Sequence, residues 1–492
     1  MIAMVSEENK KLLFIGASNV LQKNVIFNPE DRQYVSTPIL YLEWFRFRFP
    51  KHDIAKHTNH KELVMQTMRN IQGTKDAGYE WYQLLARIFR DLGMKPNSTC
   101  KGIWLWILDG EKNYLALATD DILIASNTNK PLQLLTAEFD KYFTYTVKQG
   151  PELTFLNYRI IQSEHGISID QSNHIDQTIL KPYFKDIIDK DEQPKFQSAP
   201  FPLNPKFEVE LYQANPMDEK QIASMKRKYK GAYNHWTGAL QHIAVMSRID
   251  CAYAIMRLSG YNSAPSLPCY TALHHFMQYL FHHPHVPIMY PRKNVKTYEM
   301  TVHCAKGEGE IKDLNKIKEY SGYKMWADSD LARDVANRRS VTSLIHEYNG
   351  VAFAWKSKKQ NDVADCTNRA EIQAYFMGIK RVIQFRRFKA SLGSPIGHPT
   401  PAYEDNDAVI SQVKQDKLTP RIKHLDIPMT WLHEQGLKGT YVAIYTPTGR
   451  NKADMNTKPH GGANLHTINM AIVGYQHYPP EGTKHYKLLQ LR

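Results

Sequence analysis

The chain has 492 residues, 42% hydrophobic and 23% charged, a balance that excludes a disordered chain and a length that calls for two to four domains. Its 63 Lys and Arg against 49 Asp and Glu leave a formal charge of +14, which favours an anionic partner, nucleic acid ahead of a membrane surface. Five scattered cysteines, Cys100, Cys251, Cys269, Cys304 and Cys366, form no CxxC pair; neither a disulfide framework nor a cysteine-rich zinc module is expected, and the setting reads as intracellular, cytoplasmic or nuclear, not secreted.

The opening MIAMVSEENKKLLFIG has acidic residues ahead of a short apolar patch, unlike a signal peptide. Its abrupt start leads us to expect the C-terminal part of something longer. No run approaches 18 apolar residues, so no membrane contact is expected; composition leaves the oligomeric state open. Residues 1–190 alternate amphipathic helices with short apolar strands. NIQGTKDAGYEWYQLLARIFRDLGM predicts a loop over Gly73 to Gly78, then a helix with Trp81, Leu84, Leu85, Ile88 and Phe89 on one face. LALATDDILIAS (Leu115 to Ser126) predicts a strand pair with Asp120 and Asp121 at its turn; two charges in an apolar run imply a compensating ligand. A helix around Pro131 to Phe143 and a hairpin turning at His165-Gly166 follow.

Residues 191–319 read as a linker and helical connection. DKDEQPKFQSAPFPLNP is rich in proline and charge, residues 218–290 look helical, and 291–319 are charged and loose. The run LHHFMQYLFHHPH tempts a metal reading for His274, His275, His282, His283 and His285. Only Cys269 is near enough to complete a tetrahedral set, so surface histidines are expected. PILYLEWFRFRFP, with Trp44, Phe45, Phe47 and Phe49 between arginines, is expected to be core with an Arg-lined edge.

Residues 320–492 begin another α/β unit. GYKMWADSDLA, SVTSLIHEYNG and VAFAWKSKK predict three strands, the last two joined at Asn349-Gly350, before a long helix from Thr367 to Leu392. Asp328 closes the first strand, Glu371 opens the helix, Asp405 follows a short apolar strand and Asp454 starts the last helix. Carboxylates converging from strand ends and helix starts are the hard oxygen ligands that Mg²⁺-assisted phosphodiester chemistry needs. Each taken alone is an ordinary surface or capping acid. Lys356, Lys358 and Lys359 past a strand, with Arg386 and Arg387 on the helix, supply a track for phosphates, or a solvated basic face.

WADSDLARD, AWKSKKQ, TNRAE, EDN, RIKHLDIP and NKADMNTKP together resemble the RNase H domain of copia-type retrotransposon polyproteins. The resemblance implies a ribonuclease H fold whose metal-binding acids are Asp328, Glu371, Asp405 and Asp454, all present. Arg369 stands where the family usually has Glu, two before the metal-binding acid. Pro428 and Thr430 depart from the family's basic-aromatic-His pattern, leaving His433 as the candidate for its histidine role.

Upstream, NIQGTKDAGYEWYQLL and ATDDILIAS resemble the family's reverse transcriptase, and YKGAYNHWTGALQHIAVMSRIDCAYAI its connecting region. The implied architecture is mixed α+β: a partial polymerase palm and thumb over 1–190, a helical connection over 191–319 and an RNase H-like domain over 320–492. Asp120 would be the polymerase metal ligand and Asp121 its neighbour. The third acid should precede Ser-Asn, where FIGASN carries Gly16 and Ala17. Ala118 and Thr119 also replace the family's Tyr-Val. The expected function is therefore an impaired polymerase joined to a Mg²⁺-dependent RNase H, Mn²⁺ being the alternative ion. Its expected partners are RNA–DNA hybrid and template-primer. The rival expectations are a non-catalytic nucleic-acid-binding remnant or domesticated copy, and a pseudogene product without selected function.

Overall fold

The computed structural model describes residues 1–18, 34–36, 39–51, 64–66, 77–190, 192–292, 322–334, 337–414 and 426–460. The loop expected from Gly73 to Asp76, most of the segment 291–319 with Cys304, and residues 421–425 of RIKHLDIP lie outside these. The fold is mixed α/β, in two compact units: residues 12–149, and residues 1–11 with 150–492. No helix among the described residues is long and apolar enough to cross a membrane.

The unit 12–149 contains β1 (Lys11–Ser18), the antiparallel ribbon β2 (Tyr34–Ser36) and β3 (Val64–Gln66), then β4 (Lys95–Pro96), β5 (Ile103–Leu108), β6 (Glu111–Ala118), β7 (Asp121–Ser126) and β8 (Thr144–Lys148). Its large sheet runs β4-β5-β6-β7-β1-β8. Strand alternation sends Leu13, Ile15, Ile122 and Ile124 into one core with Trp81, Leu85, Ile88 and Phe89 of the helix Ala77–Asp91. β6 and β7 form the expected hairpin, with Thr119 at φ 49 in its turn. The aromatic helix Ile39–Arg48 departs from expectation: Trp44 is 52% and Phe47 86% exposed. Residues 44, 45, 47 and 49 point to several sides of a helix turning about 100° per residue, so no one face gathers them.

In the other unit, β9 (Glu152–Phe155), β10 (Tyr158–Gln162), β11 (Gly166–Asp170) and β12 (Ile288–Pro291) form an antiparallel sheet ordered β12-β11-β10-β9. Helices Pro205–Gln213, Glu219–Lys228, Tyr233–Met246, Ala252–Ser259 and Leu267–His282 follow β11. The histidines of the last are half-buried rather than surface groups. Nε2 of His275 lies 2.9 Å from the Ala199 carbonyl, that of His282 2.8 Å from Pro194 O, and that of His283 3.2 Å from Gln197 O. A carbonyl only accepts, so each Nε2 carries the proton. The segment that composition marks as a linker is thus pinned along this helix.

β13 (Tyr323–Asp330), β14 (Val341–Tyr348), β15 (Val351–Lys359), β16 (Thr400–Glu404) and β17 (Tyr441–Tyr445) form a five-stranded sheet ordered β15-β14-β13-β16-β17. The first three strands are an antiparallel meander; β16 and β17 run parallel to β13. Asn349 and Gly350, both at positive φ (54° and 80°), make the β14–β15 turn. The helix Thr367–Ser391 packs on β13 at Gly378, where a Cβ would sit 2.8 Å from Met325 Sδ. A side chain there would have to displace the end of Met325. β15 is fastened to the helix Tyr233–Met246 by Trp355 Nε1 donating to Ala244 O (2.7 Å), and to β12 by Tyr290 OH donating to Ala352 O (3.0 Å). Arg333, after β13, donates to Glu208 (3.0 Å), which also accepts from Tyr253 OH (2.9 Å).

Candidate metal centre

The register of one parallel strand pair builds the site. Trp326 of β13 lies opposite Tyr403 of β16, their rings stacked 4.0 Å apart. Two residues further on each strand comes an acid, Asp328 on β13 and Asp405 just past β16, so both reach the same sheet edge. Glu371 lies in the first turns of the helix Thr367–Ser391, seven residues before the Gly378 contact and on the same buried face. Carboxylate oxygens of Asp328, Glu371 and Asp405 all lie within 4.8 Å of one another. Asp454 stands in the 3₁₀ turn Lys452–Asn456, which Asn451 ties to β13 by donating Nδ2–H to Ala327 O (2.8 Å). It lies outside the close triad, and its charge acts on Asp328.

Burial, reinforced by the charges of Asp454 and Asp405, pushes the Asp328 carboxyl up to about 7. Burial with the charges of Asp328 and Asp405 pushes Glu371 up to about 9. Thr457 Oγ1 donates to Asp328 Oδ2 (2.7 Å), while Glu371 Oε2 is buried without a hydrogen-bond partner. A buried, orphaned carboxylate oxygen beside two more acids is the donor set a hard divalent cation fits.

The sequence does not single out Glu404. It is fully buried, and its Oε1 accepts from the backbone N–H of Asp405 (3.2 Å) and Asn406 (3.3 Å), holding the turn that presents Asp405. Burial and the neighbouring acids raise its carboxyl well above the usual range. The available signal was adjacency: an acid ending a strand buried at every residue cannot be an ordinary surface acid.

The five basic candidates divide. Lys359 pairs with buried Asp334. Arg386 donates to the carbonyls of Ile396 (3.0 Å) and His398 (2.7 Å) and to Thr400 Oγ1 (3.1 Å). Lys356 is half-buried, which lowers its ammonium pKa, whereas Lys358 and Arg387 are exposed. His433 Nδ1 bonds Val413 O (3.2 Å), between the helices Asp407–Lys414 and Asp426–Leu437. Arg369 lies 3.8 Å from Asp365.

In the other unit, Asp120 occupies the β6–β7 turn, half-buried, with Oδ1 unpartnered. Burial raises Asp120; burial and then Asp120's charge raise Asp121, which Lys148 partly offsets. β1 runs beside this turn, the Ala17 N–H donating to Asp120 O (2.9 Å). Leu13, Ile15 and Ala17 pack on the core, so Gly16 lies on the opposite sheet face, as does Asp121 next to inward Ile122. Among the described residues no third acid, His or Cys joins this pair in a metal-holding group.

Folded Asp328, up to about pH 7, and folded Glu371, up to about pH 9, hold protons that the unfolded chain, with carboxyls near 3.8 and 4.5, has released. The metal-free fold therefore loses stability as pH rises from the unfolded to the folded values. A divalent cation at 100 times its Kd is expected to restore about 2.7 kcal/mol, read as a rise in melting temperature that EDTA reverses. Glu371→Gln is expected to melt no lower without metal and to lose the metal-induced rise; a rise that persists removes Glu371 from the site.

The sheet order, with two parallel strands added to an antiparallel meander and acids at the central edge, defines a ribonuclease H-like domain. Residues 49–190 match the family described as reverse transcriptase (RNA-dependent DNA polymerase). The chain is 23% identical over 402 residues to the retrovirus-related Pol polyprotein from transposon TNT 1-94 of Nicotiana tabacum, covering 81% of this chain and 27% of that protein. It is 21% identical over 399 residues to that from transposon RE2 of Arabidopsis thaliana, covering 81% and 24%. A solved N-terminal RNase H domain from Mycobacterium tuberculosis is 14% identical, covering 31% of this chain and 96% of that one, with a TM-score of 0.21. These matches support a copia-type retrotransposon polyprotein, the reverse-transcriptase family matching residues 49–190 and the Pol polyproteins about four fifths of the chain. The chain spans about a quarter of the length of the curated relatives it matches.

Proposed function

We propose that the chain cleaves the RNA strand of RNA–DNA hybrids in a Mg²⁺-dependent reaction and is impaired as a polymerase. The RNase H-like domain is assigned to 320–492, the helical connection to 191–319 and the polymerase palm and thumb to 1–190. The observation that carries the reading is the meeting of Asp328, Glu371 and Asp405 at one sheet edge.

Asp328, Glu371 and Asp405 would hold a divalent ion, with Asp454 beside them. Such an ion, when bound, supplies Lewis-acid polarisation of a phosphate oxygen and acidifies water. Thr457 fixes one Asp328 oxygen, and Glu404 fixes the backbone under Asp405, so the acids are oriented before substrate arrives. Lys358 and Arg387, with half-buried Lys356, are assigned to the phosphates of the hybrid, whereas Lys359 and Arg386 are engaged within the fold. Hydrolysis joins a water oxygen to phosphorus and breaks the P–O3′ bond, leaving a 3′-hydroxyl. The test is a labelled hybrid incubated with the full chain: Mg²⁺-dependent fragments ending in 3′-hydroxyl are expected, and an intact RNA strand in every divalent metal overturns the reading in favour of a binding-only remnant.

The polymerase half rests on Gly16. Losing an acid from such a metal site costs several kcal/mol of transition-state stabilisation, orders of magnitude in rate. Primer extension with Mg²⁺ or Mn²⁺ is expected to stay at background; robust synthesis overturns this half alone.

A further inference from the structure

The fourth acid is already taken. Asp454 does not join the close triad, and its carboxylate is held by groups from the four residues after its own 3₁₀ turn. Lys458 Nζ pairs with Asp454 Oδ1, and His460 Nε2 lies 3.5 Å from Oδ2 and 3.0 Å from the Asp454 carbonyl. Thr457, between them in sequence, reaches back to Asp328. An exposed Lys–Asp pair four residues apart is an ordinary surface contact of little consequence. This one differs: the Asp454 side chain is 14% exposed, and the Lys458 ammonium also feels Asp328 and Asp330. One lysine thus pairs with Asp454 and lies within the electrostatic reach of Asp328 and Asp330.

We propose that Lys458 is a positioning residue and a built-in counter-cation: it occupies Asp454, so that the triad takes one divalent ion and a second binds at Asp454 only when the ammonium leaves. This rests on the metal-site reading above. A lysine suits the role, because its compact charge rides a flexible four-carbon stem, and Lys458 is 39% exposed and has solvent to withdraw into. Cation–cation repulsion at a few ångströms is screened weakly in a partly buried site, so ammonium and second ion compete for the same carboxylate. The availability of a second ion would then depend on divalent-ion concentration.

The test counts Mn²⁺ bound to the full chain by electron paramagnetic resonance, without substrate. The unaltered chain is expected to bind one ion tightly and a second weakly. Lys458→Gln is expected to tighten the second ion about tenfold and to bring out the spin coupling of two neighbouring Mn²⁺ at lower concentration. Lys458→Arg keeps the cation and should behave as the unaltered chain, which separates charge from folding effects. Asp454→Asn should abolish the second ion and keep the first. Unchanged second-ion affinity in Lys458→Gln, or tightening that persists in the Lys458→Gln/Asp454→Asn double variant, overturns the inference while leaving the metal site standing. Failure of the unaltered chain to bind a first ion overturns both.

Discussion

Asp405→Asn is expected to lower hybrid cleavage by at least about three orders of magnitude, on the order of 4 kcal/mol, while leaving hybrid affinity within about twofold. The substitution is isosteric. Glu404 grips the backbone N–H of residues 405 and 406, not the side chain, so the turn keeps its shape. What changes is one negative charge in a cluster where three carboxylates lie within 4.8 Å. Affinity is expected to persist because exposed Lys358 and Arg387, assigned to the phosphates, are untouched. Asp120→Asn and Asp121→Asn serve as controls: both acids lie in the other compact unit, and neither change should alter cleavage. Equal cleavage by Asp405→Asn and the unaltered chain would remove Asp405 from the chemistry.

The acids were legible one by one, and their meeting was not. The antiparallel meander is written in local chemistry: three β-rich runs, and an Asn-Gly pair that tolerates positive φ at both turn positions. The helix Thr367–Ser391 shows as a spaced apolar stripe of Ile372, Phe376, Ile379 and Ile383; its buried face takes Ile372 and Ile379 with Tyr375, Gly378 and Val382, while Phe376 and Ile383 are only partly covered. Nothing local says that β16 runs parallel beside β13 with Tyr403 against Trp326, and that register brings Asp405 to Asp328. The same limit applies to the cations. Arg386 reads as a surface charge on a helix, yet its guanidinium is spent on carbonyls that only the tertiary fold brings near. Histidines expected at the surface are half-buried for the mirror-image reason, since a proline-rich stretch lies along their helix. Composition predicts what a segment resembles, and packing decides what it touches.

Replacing Arg248 with Met is expected to destabilise the larger unit by about 3–5 kcal/mol, the cost of leaving one partner of a buried ion pair alone. Arg248 and Asp250, in SRIDCAYAI, have side chains 1% and 0% exposed. The guanidinium donates Nε–H to Asp250 Oδ1 (2.9 Å) and Nη2–H to Oδ2 (2.7 Å), a two-pronged match, and Nη1–H to the His283 carbonyl (2.6 Å). Tyr279 OH donates to Asp250 Oδ2 as well (2.7 Å). Burial alone would drive the Asp250 carboxyl up; Arg248 and these donors override it and hold it low. Removing the arginine leaves a desolvated carboxylate whose only strong partner is one phenol. The network joins the turn after the helix Tyr233–Met246 to the end of the helix Leu267–His282, so its loss should loosen both. Trp355 fastens β15 to the first of these helices at Ala244, which places the damage next to the RNase H-like sheet without touching its acids. Urea unfolding is expected to show a lowered midpoint for Arg248→Met and a partial recovery for Arg248→Met/Asp250→Leu, where both charges are gone. Cleavage per folded molecule should hold in both. A double variant as unstable as the single would mean that the pair acts through shape alone; the partial recovery separates the penalty of an orphaned charge from the loss of packing.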